Sequence, residues 1–257
     1  MVLMILFRGA SIPNSWPAIF LKAHNTLVVA DLHIGYESAL RRKGLHLPQA
    51  SYSYMKMALE SMLKQTCAEN IVFLGDLKHE FGKPSPQEWV EVMDLLGWLT
   101  GAGVRVHVVR GNHDNFILAI LSKFNVILHE SHMVIGNILL THGNAFVEPP
   151  EGTRTIIIAH EHPAVASSDF AGARYKFKCF LVGEFEGRRI VVMPALSPLS
   201  SGVGINETPT DGLLSPYLRR SAVDSFTPFV VEENVGIFRF PAIGIMRQSA
   251  SQNRAPQ

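Results

Sequence analysis

Short apolar, β-branched runs recur along the first half of this chain and alternate with longer stretches of helical spacing. The runs Thr26 to Ala30, Ile71 to Leu74 and Val104 to Val109 are four to six residues long, which predicts buried strands. An apolar stretch from Val2 to Phe7 and a Pro-rich connection around Pro13 and Pro17 precede the first of them. Between the runs the spacing predicts a helix from about Pro48 to Gln65, with Pro in its first turn. A second helix is expected from about Pro86 to Leu99, with Ser85 as N-cap and Gly101 and Gly103 as its stop, and a short one from Asp114 to Leu121. Strand alternating with helix indicates α/β layering around a largely parallel sheet.

After Asn125 the pattern changes to short strands with little helix: Val126 to Leu128, His132 to Ile135, Ile138 to Thr141, Thr155 to Ala159, Phe177 to Gly183 and Arg189 to Met193. Gly136-Asn137 and Glu186-Gly187 have the composition of tight hairpin turns, so a mostly antiparallel sheet is expected here. Two sheets face to face with helices outside give a mixed β-sandwich of the α/β class. The Gly-, Pro- and Ser-rich segment from Ser197 to Ser225 is expected to cover the site, and strands Phe229 to Val231 and Gly236 to Phe240 to close a single domain over residues 1–247. Gln248 to Gln257 is polar, and a disordered tail is expected there.

Charge alters this picture little. Lys and Arg number 23 against 22 Asp and Glu, a net +1, so no global field points to a polyanion. Arg41-Arg42-Lys43, Arg188-Arg189, Arg219-Arg220 and the set Arg174, Lys176 and Lys178 are read one by one as solvated faces. The two cysteines, Cys67 and Cys179, read as small core residues rather than a disulfide or a zinc site. Met1 to Phe7 is too short to span a bilayer and carries no charged leader, from which no membrane association and a cytoplasmic location are expected.

The chemistry lies where the runs stop. Asp31-Leu32-His33, Gly75-Asp76, Gly111-Asn112-His113-Asp114, His142-Gly143 and His160-Glu161-His162 each follow an apolar run, so each sits at a strand end. Asp31 and His33, two apart, can converge on one ion, and Asp76 can give one oxygen to each of two ions. Asn112 adds a neutral oxygen, and His142, His160 and His162 add imidazoles. This nitrogen and oxygen set without thiolate suits two divalent ions of the Mn²⁺, Fe or Zn²⁺ type better than Ca²⁺. Such a pair clamps a phosphoryl group and supplies hydroxide near neutral pH. His113, beside Asn112, can protonate a leaving oxygen without being a ligand, and Asp114 can hold its tautomer. Lys78 and His79, in the loop after Asp76, either meet the phosphate or are ordinary loop residues. His24, His46, His107, His129 and His132 lack motif context and are assigned to core or surface; Trp89 and Trp98 are assigned to packing. Tyr36 and Glu37 either border the cleft or pack.

These clusters, in this order, resemble the calcineurin-like metallophosphoesterases. The resemblance implies a two-sheet sandwich with a binuclear site at the strand ends. It implies Asp31, His33, Asp76 and His162 at one metal, Asp76, Asn112, His142 and His160 at the other, and His113 as the acid. Asp31 to Glu37, Gly75 to His79 and Ser197-Pro198-Leu199 further resemble a small branch related to the SbcD nucleases. Members are often encoded beside helicases and act as manganese-dependent phosphodiesterases on nucleic acid. The expectation is therefore a phosphodiesterase acting on nucleic acid or small nucleotide diesters, with a helicase as a candidate partner. A phosphomonoesterase, or a non-catalytic scaffold of the same fold, is the alternative. Two departures from the pattern are read: Ala159 stands where Gly usually precedes His-x-His, and at 257 residues the chain is expected to be too short for the cap domain of SbcD-type nucleases.

Overall fold

The computed structural model describes residues 4–252, leaving aside 46 and 170, and the side chains up to residue 249. Val2 and Leu3, His46 and the tail from Asn253 onward therefore lie outside the described residues. The first sheet has the strand order β1 (Met4–Phe7), β2 (Ala10–Ile12), β3 (Ala18–Leu21), β4 (Thr26–Val29), β5 (Asn70–Leu74), β6 (Arg105–Val109) and β7 (Val126–His129). Pairing is parallel from β4 to β7, as the alternation predicts, but the β1 to β4 half is antiparallel.

The second sheet runs β14 (Val203–Gly204), β11 (Pro163–Ser168), β12 (Arg174–Phe185), β13 (Arg188–Val192), β10 (Thr155–Ile158), β9 (Ile138–Thr141) and β8 (His132–Ile135). β15 (Thr227–Glu232) and β16 (Gly236–Arg239) extend it from β12. Its hairpins pair antiparallel, including β8–β9 at Gly136-Asn137 and β12–β13 at Glu186-Gly187. The β9, β10 and β13 strip at its centre is parallel, so the site-bearing ends of β9 and β10 point the same way.

Helices α1 (Tyr36–Arg42), α2 (Ser51–Thr66), α3 (Pro86–Gly101) and α4 (Leu118–Leu121) belong to the first half, and α5 (Pro216–Arg219) and α6 (Ile243–Gln252) to the second. α6 takes up the first five residues of the stretch expected to be a disordered tail. Alternate residues of one strand face different layers. Ile71 and Phe73 pack under Met55, Leu59 and Leu96 of the helices, while Val72 and Leu74 meet Leu140, Ile157 and Val191 of the second sheet. The outer face of the second sheet, with Ile156, Ile158 and Ile190, is covered by Tyr217 and Leu218 of α5 and Ile243 of α6. Helix, sheet, sheet and helix thus stack in four layers, with β5 buried on both faces as its apolar run requires.

Cys179 is buried, whereas Cys67 takes the left-handed position that ends α2 and is exposed rather than in the core. Among the described residues no helix is long and apolar enough to cross a membrane.

Candidate metal centre

The loops after β4, β5, β6, β9 and β10 all open at one end of the sandwich. The first two are laced together side by side. Asp31 N–H donates to Gly75 O (3.1 Å), His33 N–H to Asp76 O (2.9 Å) and Ile34 N–H to Leu77 O (3.0 Å). Across the sandwich, Leu196 N–H donates to Ala30 O at 2.9 Å and Ser197 N–H to Asp31 O at 3.2 Å. Two glycines of the motifs are there for space. A Cβ on Gly75 would lie 2.1 Å from His142 Nδ1, and one on Gly111 would lie 2.2 Å from Asp76 Oδ1. Five of the seven expected ligands have left-handed backbone: Asp31 (φ 54°), His33 (φ 46°), Asp76 (φ 52°), His160 (φ 68°) and His162 (φ 48°). Non-glycine residues rarely take this conformation, and it turns each side chain sharply inward at its strand end.

Three groups of donor atoms result: Asp31 with His33 and His162, Asp76 with His142 and His160, and, without a carboxylate, His33 with His79 and His113. In the first, His162 Nε2 lies 3.3 Å from Asp31 Oδ1 and 3.4 Å from His33 Nε2. In the second, His142 Nδ1 donates to Leu74 O at 2.9 Å, which leaves its Nε2 lone pair facing Asp76 Oδ2 at 3.3 Å and Asn112 Oδ1 at 3.2 Å. Asp76 Oδ2 is also 3.8 Å from His33 Nε2, so this carboxylate stands between these two groups.

Buried lone pairs that converge in this way suit a cation. The charged groups also perturb one another strongly. Burial pushes the His142 imidazolium down, yet Asp76 and Asp31 lift it to about 9. Burial raises the Asp31 and Asp76 carboxyls, but His162 for the one and His142 for the other hold both below the usual range. His33 and His160 are driven by burial to about 3 and about 4, the neutral form a metal ligand needs. Asp31 Oδ1 is buried without a hydrogen-bond donor. The donor set fits divalent cations, with Asp31, His33 and His162 in one group, Asp76, His142 and His160 in another, and Asn112 beside His142.

His113 stands at the rim, its Nε2 3.9 Å from Asp76 Oδ2. Its orientation does not come from Asp114. That carboxylate is buried and accepts from Leu77 N (2.9 Å), Lys78 N (3.4 Å) and Gly111 N (2.9 Å), tying the β5 and β6 loops together. His113 Nδ1 instead donates to the carbonyl of His79, and Phe81 stacks on the ring at 3.7 Å between centroids.

Lys78 does not reach a phosphate position either. It is fully buried, and its ammonium donates to the carbonyls of Glu80, Gly82 (3.0 Å) and His113 (2.6 Å). His79 does line the cleft, stacked on Tyr36 at 4.1 Å, and burial lowers it to about 4. Glu37 is buried, and its Oε1 accepts from Ala50 N (2.8 Å) and Ser51 N (2.7 Å), capping α2. Phe81 and the buried Glu88, whose Oε1 holds His79 N at 2.9 Å and Glu80 N at 2.7 Å, carry no motif signal in the sequence. Glu88 shows only as the third residue after Ser85, a capping-box spacing. Leu199 to Val203 and Leu214 of the expected cover segment close the other side of the cleft.

The model of the calcineurin-like phosphoesterase family matches residues 24–191. No curated protein sequence matches the chain. Among solved structures, the nuclease MPE of Pseudomonas putida is similar with a TM-score of 0.64 at 19% identity, over 90% of this chain and 94% of the other, a likeness of fold. Yfce, a phosphoesterase from E. coli, gives a TM-score of 0.41 at 18% identity over 85% and 98%. With the matched segment running from the turn before β4 into β13 and holding every expected ligand, the chain belongs to the calcineurin-like phosphoesterase family, a metal-dependent phosphoester hydrolase.

Proposed function

We propose that this protein is a binuclear, Mn²⁺-dependent phosphodiesterase acting on nucleic-acid or small nucleotide diesters. The observation that carries the reading is the shared carboxylate, Asp76, between two groups that each supply imidazole and carboxylate. When bound, two such ions bind phosphoryl oxygens, make water acidic enough to attack, and offset charge on the leaving oxygen. The chain's own part is to orient and to move a proton. With Nδ1 committed to His79 O, a second proton on His113 sits on Nε2, on the cleft side, in place to reach a leaving alkoxide. The ring is held from three directions, by His79 O, by Phe81 and, through its backbone carbonyl, by Lys78. Tyr36 and His79 beside the cleft offer a face to a base, which supports a nucleotide substrate.

Short single- and double-stranded DNA, RNA and 2′,3′-cyclic nucleotides, assayed with Mn²⁺ against nitrophenyl mono- and diesters, test the assignment. Diesters are expected to turn over faster, and Asp76→Ala to lose more than the roughly 10–100-fold that outer-shell changes cost. Metal-stripped protein at full rate, or faster monoester turnover, would sink the reading. Metal analysis is expected to give two ions per chain, and fewer than one would favour a non-catalytic scaffold.

A further inference from the structure

We propose that the end of the sandwich opposite the metal centre carries a second anion site, one that takes a phosphate group. A cavity of 310 Å³ there is lined by Phe7, Arg8, His24, Asn137, Arg154 and Arg189 among others. Arg8 sits in the turn between β1 and β2, Arg154 just before β10, and Arg189 on β13. Arg154 and the ligand His160 flank the two ends of β10, six residues and roughly 20 Å apart on an extended strand.

Six arginines elsewhere, Arg42, Arg105, Arg110, Arg174, Arg220 and Arg247, are ion-paired. Arg41, Arg188, Arg219 and Arg239, like Arg8, Arg154 and Arg189 here, have no ion pair among the described residues, and only these last three line one cavity. No acidic side chain lines that cavity. Glu184 lies opposite Arg189 in the β12–β13 register without pairing to it, and the Arg189 guanidinium lies over the Phe7 ring at 5.3 Å. The His24 ring is set beside the Gly136-Asn137 turn, so close that a Cβ on Gly136 would lie 3.1 Å from it.

Three guanidinium groups around one concavity repel each other, and an anion with several oxygens relieves this while using their forked N–H donors. Apolar Leu21 and Ile138 complete the walls. The volume is at the small end of ligand pockets, about 300–1,000 Å³, and suits a phosphate with one attached group. The phosphate can come from a free small molecule or from a polynucleotide strand.

Isothermal titration of the metal-loaded full chain with inorganic phosphate and with adenosine monophosphate tests the site. Two classes of sites are expected. Arg154→Gln/Arg189→Gln should weaken one class by about tenfold or more, while turnover of a small diester stays unchanged. Asp76→Ala should keep that class. Phosphate should also slow phenylglyoxal modification of Arg8, Arg154 and Arg189 in the unsubstituted chain. A short oligonucleotide whose binding loses about one to two units of salt slope in the double variant assigns the ligand to a strand backbone; an unchanged slope assigns it to the free anion. No phosphate class left in Asp76→Ala, or a class indifferent to the double variant together with unprotected arginines, overturns the proposal.

Discussion

Lys78 shows how far a residue's role can lie from its place in a motif. It directly follows Leu77 in the loop after Asp76, where a cation would suit a phosphate, yet its ammonium is turned away into three carbonyls. Lys78→Met is therefore expected to cost roughly 1–3 kcal/mol, as buried carbonyls lose a donor. It should lower kcat by loosening His113 and leave KM nearly unchanged. Thermal melts and steady-state kinetics on a small diester check both; a raised KM with unchanged stability would place Lys78 at the substrate. Spacing in sequence identified which residues gather at the site, because strand ends fix where a side chain starts. It could not show which way Lys78 and Asp114 point. That depends on the N–H groups of Leu77 and Gly111, which meet only when β5 and β6 pair. The role of Gly75 was likewise beyond the sequence: it leaves the His142 ring its room, and Gly75→Ala should displace that ring and lower the metal content found by metal analysis.

At the scale of elements, the strands with β-branched runs and the helix begun by Ser85 could be read directly. Others could not. β11 (Pro163–Ser168) has a Pro-Ala-Val-Ala-Ser-Ser sequence with little strand preference, and it exists because it pairs with β12 along its length. α1 has no capping side chain; it starts at Gly35, whose φ of 88° brings the chain against Glu88, where a Cβ would lie 2.3 Å from Cγ. α2 starts at Ser51 rather than near Pro48 because Glu37, from that unread α1, supplies the cap. Glu37→Ala should thus destabilise the protein by roughly 0.5–2 kcal/mol, read by denaturant unfolding, with diester turnover far less affected than in Asp76→Ala. Equal loss of turnover would move Glu37 into the cleft.

For the molecule as a whole, one element of acid sensitivity lies far from the motifs. His107 Nδ1 and His129 Nε2 are 3.1 Å apart on neighbouring strands β6 and β7. Burial first, and then a nearby imidazole, lowers both below the ordinary 6.5. The unfolded chain therefore takes up protons at these positions before the folded one does, so stability rises with pH below 6.5 and this contribution is flat well above it. Unfolding between about pH 7 and 5 should show a shallower pH slope in His107→Gln than in its parent; equal slopes would remove the pair from the account. The left-handed backbone at Asp31, His33, Asp76, His160 and His162 bears on the whole protein in another way. It sets endurance against catalysis at the same positions, since a residue better suited to that backbone is a worse ligand. In His160→Gly the relief of roughly 1–2 kcal/mol exceeds the roughly 0.5–1 kcal/mol that glycine costs in the unfolded chain. The metal-free variant should melt no lower than its parent, while the gain in melting temperature on adding Mn²⁺ shrinks. Selection for heat resistance without selection for turnover would then erode the metal centre first.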